Sequence, residues 1–516
     1  MDAKKKRILR AVLAWIVVIA TAAALILANF MASRYANLIS VYLNMPNQKI
    51  VEAEDEETEH FTSDYGSQEE MTAHLKEIGK QIEAEGAVLL ENNGTLPLSD
   101  AAKITILGQD SVDPVYGGGG AGSVDTSAAV DLYTGIQEAG YQTNDTVREF
   151  YTEGAGSSYR KTVPDAYGEG VFGVNEVPVS EFTDDVLNSF EEYNDAAIVV
   201  IGRSGGESSD LQSTPLDNGC YYLELDNNEM DLINLACRNF DNVVVLLNTQ
   251  NPVELGELEN TDVDAVLWIG ALGETGAEAV GDLLCGNISP SGRLTDTYAY
   301  DSFSAPAMAN FGSYMIANSQ VMFGNSYMVY SEGIYVGYRY YETRYEDVVL
   351  GNEDPANYNY AETVQYPFGY GLSYTEFAYS DFTLTEDGDQ YIAEVTVTNA
   401  GDAAGKHAVE IYMQSPYTDY DRENNIEKSS VELVGYGKTD TLEAGESETV
   451  SIEIPKEMMK VYDRYGEGTY IVDVGDYYFT VGADAHDAVN NILAAKGCTT
   501  ADGMDADGNA DLAGKV

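Results

Sequence analysis

The sequence has 516 residues, with 86 acidic against 27 basic side chains and a formal net charge of −59. A chain this negative repels phosphate, which argues against nucleic acid as a partner. With 44% hydrophobic and 22% charged residues the bulk is globular, and the length implies several domains.

The first segment, MDAKKKRILR, is basic, and the run from Ala11 to Met31 carries no charge. As a helix that run is about 31 Å long, enough to cross a bilayer core. Lys4, Lys5, Lys6, Arg7 and Arg10 precede it, so the positive-inside rule puts residues 1–10 in the cytoplasm and the remainder outside. A cleaved signal peptide is the rival reading. The apolar run is long for one and Ala28-Asn29-Phe30-Met31 makes a poor cleavage site, so the anchor is favoured. Either way the main chain is extracytoplasmic. Residues 32–68 read as an acidic spacer.

From residue 69 helical and strand patterns alternate. Glu69 to Gly86 has helical periodicity, Ile104 to Gly108 is a short apolar strand, and Ala128 to Ala139 reads as a helix. Ala196 to Gly202, Val243 to Leu247 and Val263 to Ile269 read as buried strands, with helices at Asn228 to Arg238 and Thr275 to Leu284. Uniformly apolar strands alternating with helices imply an α/β domain over residues 69–375, a mainly parallel sheet sandwiched by helices. Ligands of such sheets sit beyond the strand carboxyl ends, where Gly108-Gln109-Asp110 and Gly202-Arg203-Ser204 fall.

Near residue 376 the period changes to two. Tyr391 to Asn399, Val409 to Met413, Glu448 to Ile454 and Tyr478 to Val481 are short alternating strands, which imply an all-β sandwich over 376–485. Residues 486–516 are rich in Gly, Asp and Ala and read as a linker or disordered tail. Asp505, Asp507, Asn509 and Asp511 alternate there, but the glycine and glutamate positions of an EF-hand hold Ala510 and Val516, so no calcium site is expected. Cys220, Cys237, Cys285 and Cys498 lack metal-ligand spacing, and His60, His74, His407 and His486 are scattered. Cys237 and Cys285 are expected as small buried hydrophobes. No metal or cofactor is called for.

An ordered set of motifs covers residues 70 to 485: Gly86 to Leu98 (GAVLLENNGTLPL), Tyr116 to Val124 (YGGGGAGSV), Arg203 to Asp210 (RSGGESSD), Pro290 to Leu294, Tyr335 to Tyr341 and Tyr366 to Tyr374. Leu433 to Tyr436, Val474 to Tyr478 and Val481 to Ala483 follow. The set resembles glycoside hydrolase family 3, with the α/β sandwich domain first and a fibronectin type III-like domain after it. The resemblance implies retaining hydrolysis of β-linked sugars, β-glucosidase-like, which needs two carboxyl groups about 5–5.5 Å apart. It puts the acid/base at Glu207, with small neighbours Gly205, Gly206 and Ser208 admitting close approach of a sugar. Arg203, Asp210 and the glycines Gly118, Gly119 and Gly120 are expected to contact substrate, and Arg293 to be structural. Ser208 and Leu211 depart from the family pattern, which normally has Gly and often a basic residue there. The loop Gly117 to Gly122 lacks the Rossmann position and the P-loop lysine, so it reads as a flexible wall of the sugar cleft. The excess of tyrosine, 38 residues, fits strand propensity first and carbohydrate contact second.

The family nucleophile is an aspartate on a (β/α)₈ barrel, in a Ser-Asp-Trp-like motif. Trp15 and Trp268 do not follow Ser-Asp, and a barrel needs about 250 residues. The sequence therefore resembles the front part of a rearranged family member, with a barrel domain expected beyond Val516. The other reading is a non-catalytic sugar-binding or scaffolding module at the cell surface.

Overall fold

The computed structural model describes residues 3–43, 63–99, 101–165, 170–207, 209–320, 325–352 and 357–516. The chain divides into two units, 1–71 and 72–516. In the first, helix α1 (Ala3–Arg34) is followed by the short α2 (Ala36–Tyr42). The segment Lys4–Arg34 is the one helix among the described residues long and apolar enough to cross a membrane. Most of the expected spacer, residues 44–62 with His60, lies outside the described residues.

The second unit starts within helix α3 (Gln68–Gly86) and continues into a six-stranded sheet. Its strands are β1 (Val88–Asn92), β2 (Lys103–Leu107), β3 (Gln142–Thr143), β4 (Ala196–Arg203), β5 (Val243–Thr249) and β6 (Ala265–Trp268), in the order β1-β6-β5-β4-β2-β3. β2 to β6 run parallel, with Ile198 of β4 beside Ile106 and Val244, and β1 closes the edge antiparallel to β6. Every residue of β4 and β5 is buried, as the uninterrupted apolar runs require of strands covered on both faces.

Alternate residues feed two cores. Val199, Ile201 and Val245 pack with Val147 and Phe150 of α5 (Asp145–Thr152), Val186 of α6 (Asp184–Ser189) and Leu232 of α7 (Asn227–Asn239). Ile198, Val200 and Leu246 pack on the other side with Ile136 of α4 (Leu132–Glu138) and Val280 of α8 (Ala277–Leu284). The helix expected from Ala128 starts later, because Asp131 caps it by accepting from Thr134 N at 3.1 Å. Cys237 and Cys285 are only half-buried, one against each core.

After helix α9 (Tyr338–Val349) the chain enters two antiparallel sheets. One orders β7 (Phe377–Asp387), β8 (Gln390–Asn399) and β11 (Ser447–Pro455). The other orders β10 (Glu432–Lys438), β9 (Ala408–Gln414), β12 (Tyr478–Gly482) and β13 (Ala513–Lys515). Val395, Val397, Ile411, Phe479 and Ile452 fill the space between them. This sandwich docks on the α/β domain through Glu85, which pairs with Lys406 at 2.5 Å and Lys438 at 2.8 Å, and through Arg293, which donates to Gly371 O and lies against His407.

The expectation of a linker or disordered tail over 486–516 is overturned. Helix α10 (Ala485–Ala495) buries Ala488, Val489, Ile492 and Leu493 in a core shared with Tyr341 and Tyr345 of α9. β13 then pairs with β12, and Val516 exchanges two backbone hydrogen bonds of 3.0 Å with Tyr477. The misleading composition has local uses here. Asp484 caps α10 by accepting from Asp487 N at 2.8 Å, and Asn509 accepts from Asp511 N at 3.1 Å. Asp505 is engaged by His486 at 2.9 Å and by Tyr345 OH at 2.9 Å. His486 reaches Glu342 at 2.8 Å through its other ring nitrogen and stacks on Tyr360.

Candidate active site

β4 carries the chain to the carboxyl edge of the sheet and releases it at Ser204. The loop that follows is braced from below: Ser204 N donates to Tyr222 OH at 2.8 Å and Asn251 Nδ2 to Ser204 O at 3.2 Å. Gly205 N donates to Gln250 Oε1 at 3.0 Å, so the segment following β5 holds the loop following β4.

The glycine loop comes from the other side. Gly119 N donates to Gly205 O at 3.0 Å and Glu207 N to Gly119 O at 3.3 Å, which makes a short parallel bridge between Gly119 and Gly206. Ala121 N donates to Glu207 Oε2 at 2.9 Å. Glu207 is exposed, with its carboxylate held at one oxygen by a backbone amide. Two glycines make this possible. Gly120 has φ +64° and a Cβ there would lie 2.6 Å from Glu207 Cβ, while a Cβ on Gly206 would fall on the backbone of Gly119. The loop expected as a flexible wall is thus bonded to the loop that carries Glu207. Ser208 lies outside the described residues.

Two cavities flank Glu207's loop and share Gly205, Gly206 and Ser209 in their walls. One, of about 280 Å³, is lined by Asp210, Leu211, Tyr221, Phe303, Met308 and Phe311. The other, of about 260 Å³, takes in Gly118, Gly119, Tyr116, Lys161 and Phe172. Asp210 is exposed and Gly118 to Gly120 are half-buried. Two larger hollows, of about 420 and 450 Å³, lie between the domains and have none of these residues in their walls.

Arg203 is a correction. It is fully buried, and all its donors are taken inside the protein. Nη1 and Nη2 each reach one oxygen of Glu229 at 2.7 Å, and the remaining N–H groups go to the carbonyls of Gly202, Tyr222 and Glu224. A guanidinium with five satisfied donors has nothing left for a substrate. It ties β4 to the start of α7 instead.

Residues 87–338 match the glycosyl hydrolase family 3 C-terminal domain, and residues 407–485 match a fibronectin type III-like domain. The chain carries the C-terminal domain of glycoside hydrolase family 3. A beta-glucosidase of Ruminococcus albus is 32% identical over 425 residues, covering 80% of this chain and 40% of the relative. Beta-glucosidase A of Butyrivibrio fibrisolvens is 30% identical over 462 residues, covering 81% and 51%. Among solved structures, beta-glucosidase 3B of Thermotoga neapolitana in complex with glucose superposes with a TM-score of 0.62 at 31% identity, covering 80% of this chain and 53% of that one. The beta-glucosidase of Paenibacillus barengoltzii gives 0.64 at 30% identity, covering 79% and 42%. The chain therefore spans about half the length of the relatives it matches, or less.

Sequence reasoning missed Lys161. Its ammonium pairs with Asp110 at 3.0 Å and Asp113 at 3.2 Å, in the wall of the smaller cavity. Burial opposes its charge, but the two aspartates outweigh that and hold its pKa above the usual lysine value. Asp110 in turn accepts from Gly202 N at 3.0 Å, linking the ends of β2 and β4. Behind it Glu176 accepts from Gln109 N at 2.9 Å, and burial pushes its pKa well up. Lys161 stands in no recognisable motif, and its one sequence signal is that cations are scarce, 27 against 86 acids.

Proposed function

We propose that this chain supplies the acid/base half of a retaining β-glycosidase, β-glucosidase-like, acting on terminal β-linked sugars. The observation that carries the reading is the seating of Glu207 beside the glycine loop, at the carboxyl edge of the sheet, between two cavities. As an acid Glu207 would protonate the leaving oxygen, and as a base it would then activate water against the glycosyl-enzyme. The nucleophile belongs to a barrel domain outside these residues, and Asp210 is the nearby carboxylate with access to substrate. The N-terminal helix anchors the protein in the membrane, with residues 1–10 cytoplasmic and the α/β and fibronectin type III-like domains extracytoplasmic. The reading calls for a carbohydrate substrate and no nucleic acid or cofactor.

The test is Glu207→Gln in the enzyme complete with its barrel. Hydrolysis of cellobiose-type substrates should fall by about 10²–10⁴-fold, the usual loss on removing a general acid. Activated aryl glycosides should suffer less, and azide should restore turnover, because a small anion attacks without a general base. Near-normal cellobiose hydrolysis would move the role elsewhere, with Asp210→Asn the next comparison. The 516-residue chain alone should hydrolyse aryl β-glucosides negligibly. A second reading, a sugar-binding module, draws support from an exposed aromatic surface on the other domain.

A further inference from the structure

The fibronectin type III-like domain exposes several tyrosines around one hairpin, and Tyr436 on β10 is exposed as well. A two-stranded hairpin pairs Val461–Tyr462 with Tyr470–Ile471, in register Tyr462 to Tyr470. Tyr462 and Tyr470 share its outer face, 53% and 66% exposed, with ring centroids 5.3 Å apart. Tyr465 at the hairpin tip is 60% exposed, and Tyr417 on the neighbouring loop 50%. A surface of large aromatic rings on a soluble domain marks a contact site, since scattered exposure would not gather them.

A second observation is what lies beneath. Asp463 is fully buried and accepts from Gly466 N at 2.7 Å, Glu467 N at 2.7 Å and the Tyr420 hydroxyl, so it fixes the hairpin turn to the loop before it. Lys428, also buried, donates to Asp421 at 2.8 Å, Asp473 at 2.6 Å and Pro416 O at 2.6 Å. Three loops are thereby locked together by ionic contacts, which are a poor source of net stability but do specify one arrangement. The rings are held in place before anything binds, which lowers the entropy lost on contact.

The chemistry of the surroundings selects the occupant. Asp419, Glu423, Glu467 and Asp476 are exposed around the rings, and the chain carries −59 overall, so a polyanion is repelled. The nearby cations are engaged: Arg422 lies over Tyr417 at 4.9 Å, Arg464 over Tyr465 at 5.0 Å, and Lys515 pairs with Asp476 at 2.9 Å. Tyr462 and Tyr470 meet edge to face at 73°, and their exposed rings with a border of hydroxyl and carboxylate acceptors suit a ligand with an apolar C–H face and many hydroxyl donors. We infer that the Tyr462–Tyr470 hairpin is a non-catalytic binding surface for neutral polysaccharide, separate from Glu207 and independent of its role.

The test is native electrophoresis of the detergent-solubilised full chain through gels containing hydroxyethylcellulose or mixed-linkage β-glucan. Wild type should be retarded, equally at low and high salt, and Glu207→Gln should match it. Tyr462→Ala/Tyr470→Ala should lose at least 10-fold in affinity, while Tyr462→Phe/Tyr470→Phe should keep most of it, since ring faces persist. Unchanged melting of both variants separates ligand contact from folding, and the single Tyr470→Ala change gives a milder comparison should the double variant misfold. Lack of retardation of wild type by either neutral polymer, retardation by dextran sulfate alone, or equal retardation of the alanine variants would overturn the inference.

Discussion

The parallel sheet and residues 486–516 are opposite kinds of structure that each place side chains in a core. β4 and β5 are apolar up to their carboxyl ends, at Arg203 and at Asn248-Thr249, and any packing that covers both faces suits those apolar runs. The tail is rich in Gly, Asp and Ala and folds only because α9 and the β12 edge receive it. Hydrophobic strands declare their burial alone, whereas a polar segment is folded by its partners, and its local composition carries no sign of them.

Deleting residues 486–516 should have the largest effect. Ala488, Val489, Ile492, Leu493, Met504 and Leu512 leave the core together. At about 1.5–3 kcal/mol for each large side chain, the loss rivals the whole 5–15 kcal/mol stability of a domain. The truncated chain should show no cooperative thermal unfolding by circular dichroism; a true linker would leave the melting temperature unchanged. Next in size is Arg203→Met, which strands Glu229 inside the α/β core. It should cost about 3–5 kcal/mol in urea unfolding, against less than about 0.5 kcal/mol for exposed Glu207→Gln.

The tail's charges sharpen the contrast further. Burial would lower His486, but Glu342 and Asp505 outweigh it and raise its pKa to about 10. Its contribution is therefore complete below the unfolded value of about 6.5 and lost as pH rises through about 10. Burial raises Asp484 to about 7, against the opposing amide of Asp487, so its contribution is present at acid pH and lost as pH rises through about 7. Tail docking, followed by hydrogen exchange of α10, should weaken in these two steps. Asp484→Asn keeps a capping acceptor and should remove the first; His486→Gln should remove the second. A smaller effect than that of Arg203→Met is expected from Gly120→Ala, about 1–2 kcal/mol from a positive φ and a clash with Glu207. Hydrogen exchange over residues 115–125 should reveal the freed Ala121 amide, and intact protection would show that the two loops are not coupled.

Much of the α/β domain was legible because apolar runs such as AAIVVIG can only be interior strands, and the period-two strands of the sandwich were equally plain. Glu207 stands as a candidate through its family motif alone, since an exposed glutamate among so many acids has no local signature. Arg203 was misread because its counter-charge, Glu229, sits on the next helix, and no spacing rule announces that pair. Lys161 joins Asp110 only after the sheet brings distant loops together. The tail failed for the reason its sequence looked disordered: aspartates that cap turns and glycines that admit close packing are the residues that unstructured chains also favour.

Val516 is stitched to Tyr477 on both its backbone groups. The end of β13 is therefore a fixed point on the sandwich, not the loose end of a tether. Any polypeptide joined there, natural or engineered, departs from a defined position and direction. Its reach across the surface would be set by its own first residues, so a short connection would hold it at an effective concentration in the millimolar range.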